Sequence, residues 1–199
     1  MEVTIRPLEA DRWPEAGAMA GRAFWTEEYM RPLGEEPIGL YATVQDVYLG
    51  MDFTGPGSTV LAAFAGDHVI GIACVQRANE CFFCTMDADA GPKGDDEVSR
   101  VFHALDLAIR ELHVGLPEHA YIGPVAVEPT LQGHGIGGRL IAAAWELVAA
   151  DHPPTVALDC DPRLESFYTA RSFRRVGVVT DPWGFDIVGL RRDPLRELP

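Results

Sequence analysis

The stretch LQGHGIGGRL, residues 131–140, constrains this chain more than any other. Glycine stands at 133, 135, 137 and 138, after the β-rich run "AYIGPVAV" and before a long apolar-periodic segment. A glycine-rich turn between a strand and a helix brings backbone N–H groups to a helix N-terminus, where the macrodipole favours an anion. The stretch is therefore expected to cradle phosphate on an α/β scaffold.

Two phosphate loops fit the letters. Gly133, Gly135 and Gly138 spell G-x-G-x-x-G, a dinucleotide fingerprint, and Asp159 stands about 20 residues on, where a ribose-binding acid would sit. Against this, residues 128–132 separate strand from glycines and include Pro129. The upstream half also reads as a hairpin and meanders, without the βαβ repeats of a doubly wound sheet. Alternatively Gln132, Gly135 and Gly137 spell Q-x-x-G-x-G, which accommodates the insertion.

The surrounding pattern is a single α/β domain over residues 1–199, with about six or seven strands in a mixed sheet. "EVTIR", residues 2–6, alternates as a short strand. Asp11 is the expected N-cap of a helix running to about Trp25, with Pro14 in its first turn. Residues 26–37 read as a loop and 38–51 as a second helix. Gly66-Asp67 joins two β-rich runs as a hairpin. Residues 80–96 are irregular. Residues 97–113 have helical period, with Val101, Leu105, Ala108 and Leu112 on one face. A strand at 120–127, a helix at 134–151, a strand at 155–160, a short helix at 162–172 and strands at 173–179 and 186–192 complete the chain.

The formal net charge of −14 argues against nucleic acid, which requires a basic stripe; it is compatible with a cationic small molecule and equally with a surface charged for solubility alone. No apolar run approaches the roughly 18 residues of a membrane span. The start "MEVTIRPLEA" lacks the basic and apolar regions of a secretory signal, so the cytoplasm is the expected compartment. Cys81 and Cys84 form a lone C-x-x-C. A zinc site needs a second ligand pair, and none follows at a customary spacing. Redox work would place the pair between a strand and a helix, whereas here it follows a long strand pattern. The four cysteines are read as structural, and no metal is expected.

Two motifs together carry a resemblance. "VAVEPTLQGHGIGGRLI" supplies Val125, Val127, Pro129, Gln132, Gly135 and Gly137, and "ALDCDPRLESFYTARSF" follows with Phe167, Tyr168 and Phe173 in place. In order and spacing, residues 119–175 resemble the Gcn5-related N-acetyltransferases, the GNAT superfamily, and among them the puromycin N-acetyltransferase-like branch. There are departures. Ser172 stands where the family has a helix-ending glycine, and Leu164 where an asparagine is frequent.

The resemblance implies the GNAT fold, a central mixed sheet splayed at an acyl-CoA site and flanked by helices. It implies acetyl-CoA as cosubstrate. Gly133, His134, Gly135, Ile136, Gly137 and Gly138 would hold the pyrophosphate, with Gln132 leading in and Arg139 as the nearest cation. Val125, Ala126 and Val127 would run along the pantetheine arm. Tyr168 would protonate the departing thiolate. Tyr121 and His119, two apart on one strand face, are candidates for the base, with Glu80 and Asp87 as further candidates. Cys160 is conceivable as an acyl carrier, though direct transfer needs none. The acceptor would be a primary amine of a small molecule or peptide, and a homodimer is compatible with the sequence. A non-catalytic acyl-CoA-binding regulatory domain is the alternative, for which Ser172 and Leu164 leave room.

Overall fold

The structure, a computed structural model, describes residues 2–34, 36–50, 57–78, 80–149 and 155–193. Among the described residues seven strands form one mixed sheet flanked by helices, in the order β1-β2-β3-β4-β5-β7-β6: β1 (Thr4–Pro7), β2 (Ser58–Ala65), β3 (His68–Gln76), β4 (His119–Val127), β5 (Thr155–Cys160), β6 (Arg174–Thr180) and β7 (Asp186–Arg192). The chain divides into two compact units, Met1–Gln76 with Ile122–Leu147, and Arg77–Tyr121 with Val148–Pro199. Among the described residues no helix is long and apolar enough to cross a membrane.

In the first unit β1, β2 and β3 pair antiparallel. The β2–β3 hairpin closes at Gly66-Asp67 as its sequence predicts, with Gly66 at φ +60°, a left-handed value that glycine adopts without penalty. Helix α1 (Trp13–Phe24) buries Ala16, Met19 and Ala20. Its Gly17 and Gly21, one turn apart, receive helix α2 (Pro37–Gly50) so closely that a Cβ at either would collide with Tyr48 or Gln45. Asp11 does not cap α1. A 3₁₀ turn, Ala10–Arg12, precedes it, and Arg12 occupies the N-cap without a capping bond from its side chain. A second 3₁₀ turn, Glu28–Leu33, lies within the expected loop. The predicted extension of α2 to Met51 falls outside the described residues.

The second unit holds the expected irregular region, which contains a four-residue helix, α3 (Phe82–Thr85). Helix α4 (Glu97–His113) starts at Asp96, whose Oδ1 accepts from Ser99 N at 2.9 Å. Its buried stripe is Val101, Leu105, Ile109 and Leu112, so Ile109 takes the place expected of Ala108. Both positions satisfy helical spacing, and the larger apolar side chain gains more from burial. Leu112 packs over Gly177 and Gly189 of β6 and β7, where a Cβ would stand 3.4 Å and 3.0 Å from Leu112 Cδ2. Strands β4 and β5 pair parallel over His119–Tyr121 and Thr155–Ala157, while β7 pairs antiparallel with both β5 and β6.

Candidate active site

The glycine loop lies wholly in the first unit. Strand β4 ends at Val127, a 3₁₀ turn covers Pro129–Leu131, and helix α5 (Ile136–Ala149) begins two residues later than expected, leaving His134 in the loop. Gly133 and Gly135 have φ of +78° and +81°. Nothing lies within 4 Å of the place a Cβ would take at either, so backbone conformation and not packing demands glycine here. Gly137 sits in the first turn of α5. Ile136, by contrast, is buried and anchors the helix. The first four N–H groups of a helix have no intrahelical partner, and the loop that leads into them, residues 132–135, is exposed. This is the geometry a pyrophosphate fits.

The neighbouring side chains hold the loop rather than reach out from it. Gln132 Nε2 donates to Val127 O at 3.2 Å, and His134 Nδ1 lies 2.9 Å from Gln132 O. Arg139 donates to Val3 O at 2.7 Å, which turns the expected phosphate cation toward the N-terminal strand. Ala126 is buried, whereas Val125 and Val127 are half-buried, so the core residue of this stretch is the alanine. Glu128 follows directly. Its backbone N–H donates to Ile70 O at 3.0 Å and its carboxylate accepts from Arg22 at 2.7 Å, fixing the chain's entry into the loop.

Among the aromatic residues, Phe24 stacks on buried Tyr48 at 5.0 Å between centroids, and Trp25 meets Tyr41 edge-on at 5.6 Å. Trp25 also lines a cavity of about 480 Å³ together with Glu27, Arg31 and Leu40.

In the second unit Tyr168 lies on α6 (Glu165–Thr169), buried, with its ring edge-on to Phe167 and Phe173. Ser172 adopts φ +67°, the left-handed conformation the family assigns to glycine. Phe173 N–H donates to Tyr168 O at 3.3 Å and Ser172 N–H to Thr169 O at 3.1 Å. These two bonds and the Tyr168–Phe173 contact make a Schellman ending. The departure at position 172 thus leaves the turn around Tyr168 intact. Glu165 pairs with Arg175, tying α6 to β6. Leu164 is exposed.

Neither expected base is a free group. Tyr121 donates its hydroxyl proton to Asp159 Oδ1 at 2.7 Å, and burial together with that carboxylate raises the phenol well above its ordinary range. His119 Nδ1 lies 2.8 Å from Pro117 O and its Nε2 lies 2.9 Å from His113 Nδ1. Asp159, which its sequence position marks only as a ribose ligand, stands here as a candidate base. Burial pushes its carboxyl up to about 6, with the Tyr121 hydrogen bond opposing. Asp106, half-buried on α4, is pushed up to about 7 by burial, opposed by Lys93 and aided by Asp159. Glu80 is half-buried and Asp87 is exposed. Cys160 is buried, and its thiol is pushed up to about 12, which suits packing rather than acyl carriage.

The cysteine pair has partners that spacing conceals. Cys81 and Cys84 meet His113 and His119, with one ligand atom from each lying within 4.8 Å of the others. The sequence reading of these cysteines as unaccompanied therefore does not hold for their surroundings.

Fold and loop together define an acyltransferase scaffold. A model of the acetyltransferase (GNAT) family matches residues 22–173. The chain belongs to that family, which uses acetyl-CoA, and is an acetyltransferase. No curated protein sequence matches it. Solved structures with the same fold include an apo mutant of agmatine N-acetyltransferase, at 12% identity and TM-score 0.68 over 98% of this chain and 100% of that one. A mosquito arylalkylamine N-acetyltransferase-like protein has 15% identity and TM-score 0.67 over 97% and 100%. The PaiA N-acetyltransferase of Thermoplasma acidophilum, solved with coenzyme A, has 15% identity and TM-score 0.59 over 98% and 100%.

Proposed function

We propose that this protein transfers an acetyl group from acetyl-CoA to a primary amine of a small molecule or peptide, by direct attack and with Tyr168 as general acid. The observation that carries the reading is the loop at α5: Gly133 and Gly135 in left-handed backbone, open to a ligand, at a helix N-terminus. Residues 1–199 are read as one catalytic domain, supported by a family match that draws on both compact units. None of the four cysteines forms a disulfide, which fits a cytoplasmic setting.

When bound, the cosubstrate supplies an activated thioester. The backbone N–H groups of residues 133–138 bind its pyrophosphate. The N–H of Val127 is assigned to the pantetheine end, because the next N–H along the strand, that of Glu128, is already bound to Ile70 O of β3. The acceptor must attack as a neutral amine, although a free alkylamine has a lysine-like pKa near 10. We assign its proton to the Tyr121–Asp159 pair: Tyr121 oxygen accepts from the amine as its own proton passes to Asp159. A carboxylate with a pKa of about 6 is ionised at neutral pH and ready for this role. Tyr168 donates its proton to the leaving sulfur. The names of two structural neighbours, for agmatine and arylalkylamines, support a small amine as acceptor. The net charge of −14 supports a cationic one.

The test is product identification. The protein, acetyl-CoA and a panel of polyamines, arylalkylamines and N-terminal peptides are incubated, and each amine is examined by mass spectrometry. Acetylation of at least one amine above the enzyme-free rate is expected. Failure on every class, with coenzyme A binding intact, would overturn the catalytic reading in favour of a regulatory domain.

A further inference from the structure

We propose that Cys81, Cys84, His113 and His119 form a closed four-coordinate zinc site. It would tie the segment 81–85 to the end of α4 and the start of β4. The inference is independent of the acetyl-transfer chemistry.

Geometry carries it. Zinc bonds of about 2.3 Å to sulfur and about 2.0–2.1 Å to nitrogen, at tetrahedral angles, place S and N about 3.6 Å apart and two N atoms about 3.3 Å apart. Cys81 Sγ lies 3.6 Å from His113 Nδ1, and Cys84 Sγ lies 3.6 Å from His119 Nε2. The two nitrogens stand 2.9 Å apart, so an ion between them requires only a few tenths of an ångström of spreading.

The surroundings agree. His119 Nδ1 faces Pro117 O at 2.8 Å, and a carbonyl oxygen can only accept. The proton therefore sits on Nδ1, and Nε2 presents its lone pair to the cluster, the orientation that outer partners give metal-bound histidines. Cys81, His113 and His119 are 0%, 3% and 2% exposed, so three polar groups converge in a dry place. Phe83 stacks on His113 at 4.9 Å and Tyr121 packs edge-on at 5.3 Å, which encloses the centre. Two thiolates and two imidazoles suit Zn²⁺ and not Mg²⁺ or Ca²⁺. Four protein ligands leave no open position, so the role is structural. It has work to do there, since a four-residue helix such as α3 cannot hold itself together in water. Through His119 the site also steadies Tyr121 two residues on.

The arrangement that competes is a hydrogen bond from His113 Nδ1–H to His119 Nε2 beside two free thiols. The full chain, purified without chelator, is analysed for metals by mass spectrometry. About one zinc per chain is expected. After chelation under reducing conditions, Co²⁺ is added. Intense d–d bands of a tetrahedral ion and thiolate-to-cobalt charge transfer are expected. Cys84→Ser changes the exposed ligand and so disturbs packing least. It should weaken zinc binding by more than the roughly 100-fold that loss of an outer partner costs. Cys160→Ser should leave it unchanged. A folded parent that carries no zinc and gives only a weak octahedral cobalt spectrum would overturn the site. So would Cys84→Ser with parental zinc affinity.

Discussion

The Tyr121 hydroxyl donates to Asp159 Oδ1 at 2.7 Å, joining β4 to β5 at the end of their three-residue parallel ladder, two residues past Tyr121's partner Ala157. In the proposed mechanism this phenol is the relay and the carboxylate behind it the base. Burial holds Asp159 at about 6 in the free enzyme. The profile of kcat/KM against pH should therefore rise through about pH 6. Asp159→Asn should abolish that limb and cost roughly 10²–10⁴-fold in turnover. An unaltered acidic limb in this variant would move the base elsewhere.

Asp106 gives a stability signature. Its folded pKa of about 7 lies above the ordinary carboxylate value, so the folded protein keeps a proton that the unfolded chain releases. Stability contributed by this group is present at low pH and falls as pH rises from about 4 through about 7. Asp159 acts in the same direction up to about 6. Asp106→Asn should remove its share and raise stability by roughly 1–3 kcal/mol at pH 8, with little change at pH 4. Denaturant melts at the two pH values measure this. Equal effects at both would show that Asp106 is not held protonated.

Gly135→Val should abolish coenzyme A binding by calorimetry while the circular dichroism of the fold persists. No protein atom lies within 4 Å of the new Cβ, but φ +81° is costly for a β-branched residue, and the side chain would fill the ligand's space. NAD should not bind the parent. Unchanged coenzyme A affinity in the variant would displace the pyrophosphate from this loop.

Ser172 carries a left-handed strain of about 1–2 kcal/mol that glycine does not, offset by the roughly 0.4–1 kcal/mol of unfolded-chain entropy that glycine adds. Ser172→Gly should therefore stabilise by about 0.5–1 kcal/mol in urea melts. A loss of stability would mean that the serine side chain holds the turn by a contact of its own.

Much of this was legible in residue order. The strand, the Q-x-x-G-x-G turn and the apolar helix after it follow local rules, and so do the Gly66-Asp67 hairpin and the strain at Ser172. What escaped depends on chain separation. Tyr121 and Asp159 lie 38 residues apart and meet only because β4 and β5 run parallel. His113 and His119 are a close pair, but the residues between Cys84 and His113 include an exposed loop and all of α4, far beyond customary zinc spacing. Asp11 is not the cap because a 3₁₀ turn precedes α1, a common helix entry that residue type alone does not distinguish from a capped one.

The central claim is catalysis by direct transfer, and Tyr168 tests it most directly. Thiol release from acetyl-CoA is followed with an accepting amine for the parent and for Tyr168→Phe. Phe keeps the ring and its edge-on contacts with Phe167 and Phe173, so melting temperature and acetyl-CoA affinity should stay near parental. The turnover number should fall roughly 10²–10⁴-fold with KM little changed, because the proton is needed only in the transition state. Turnover within a few-fold of the parent would contradict the account and leave Tyr168 as a packed aromatic residue.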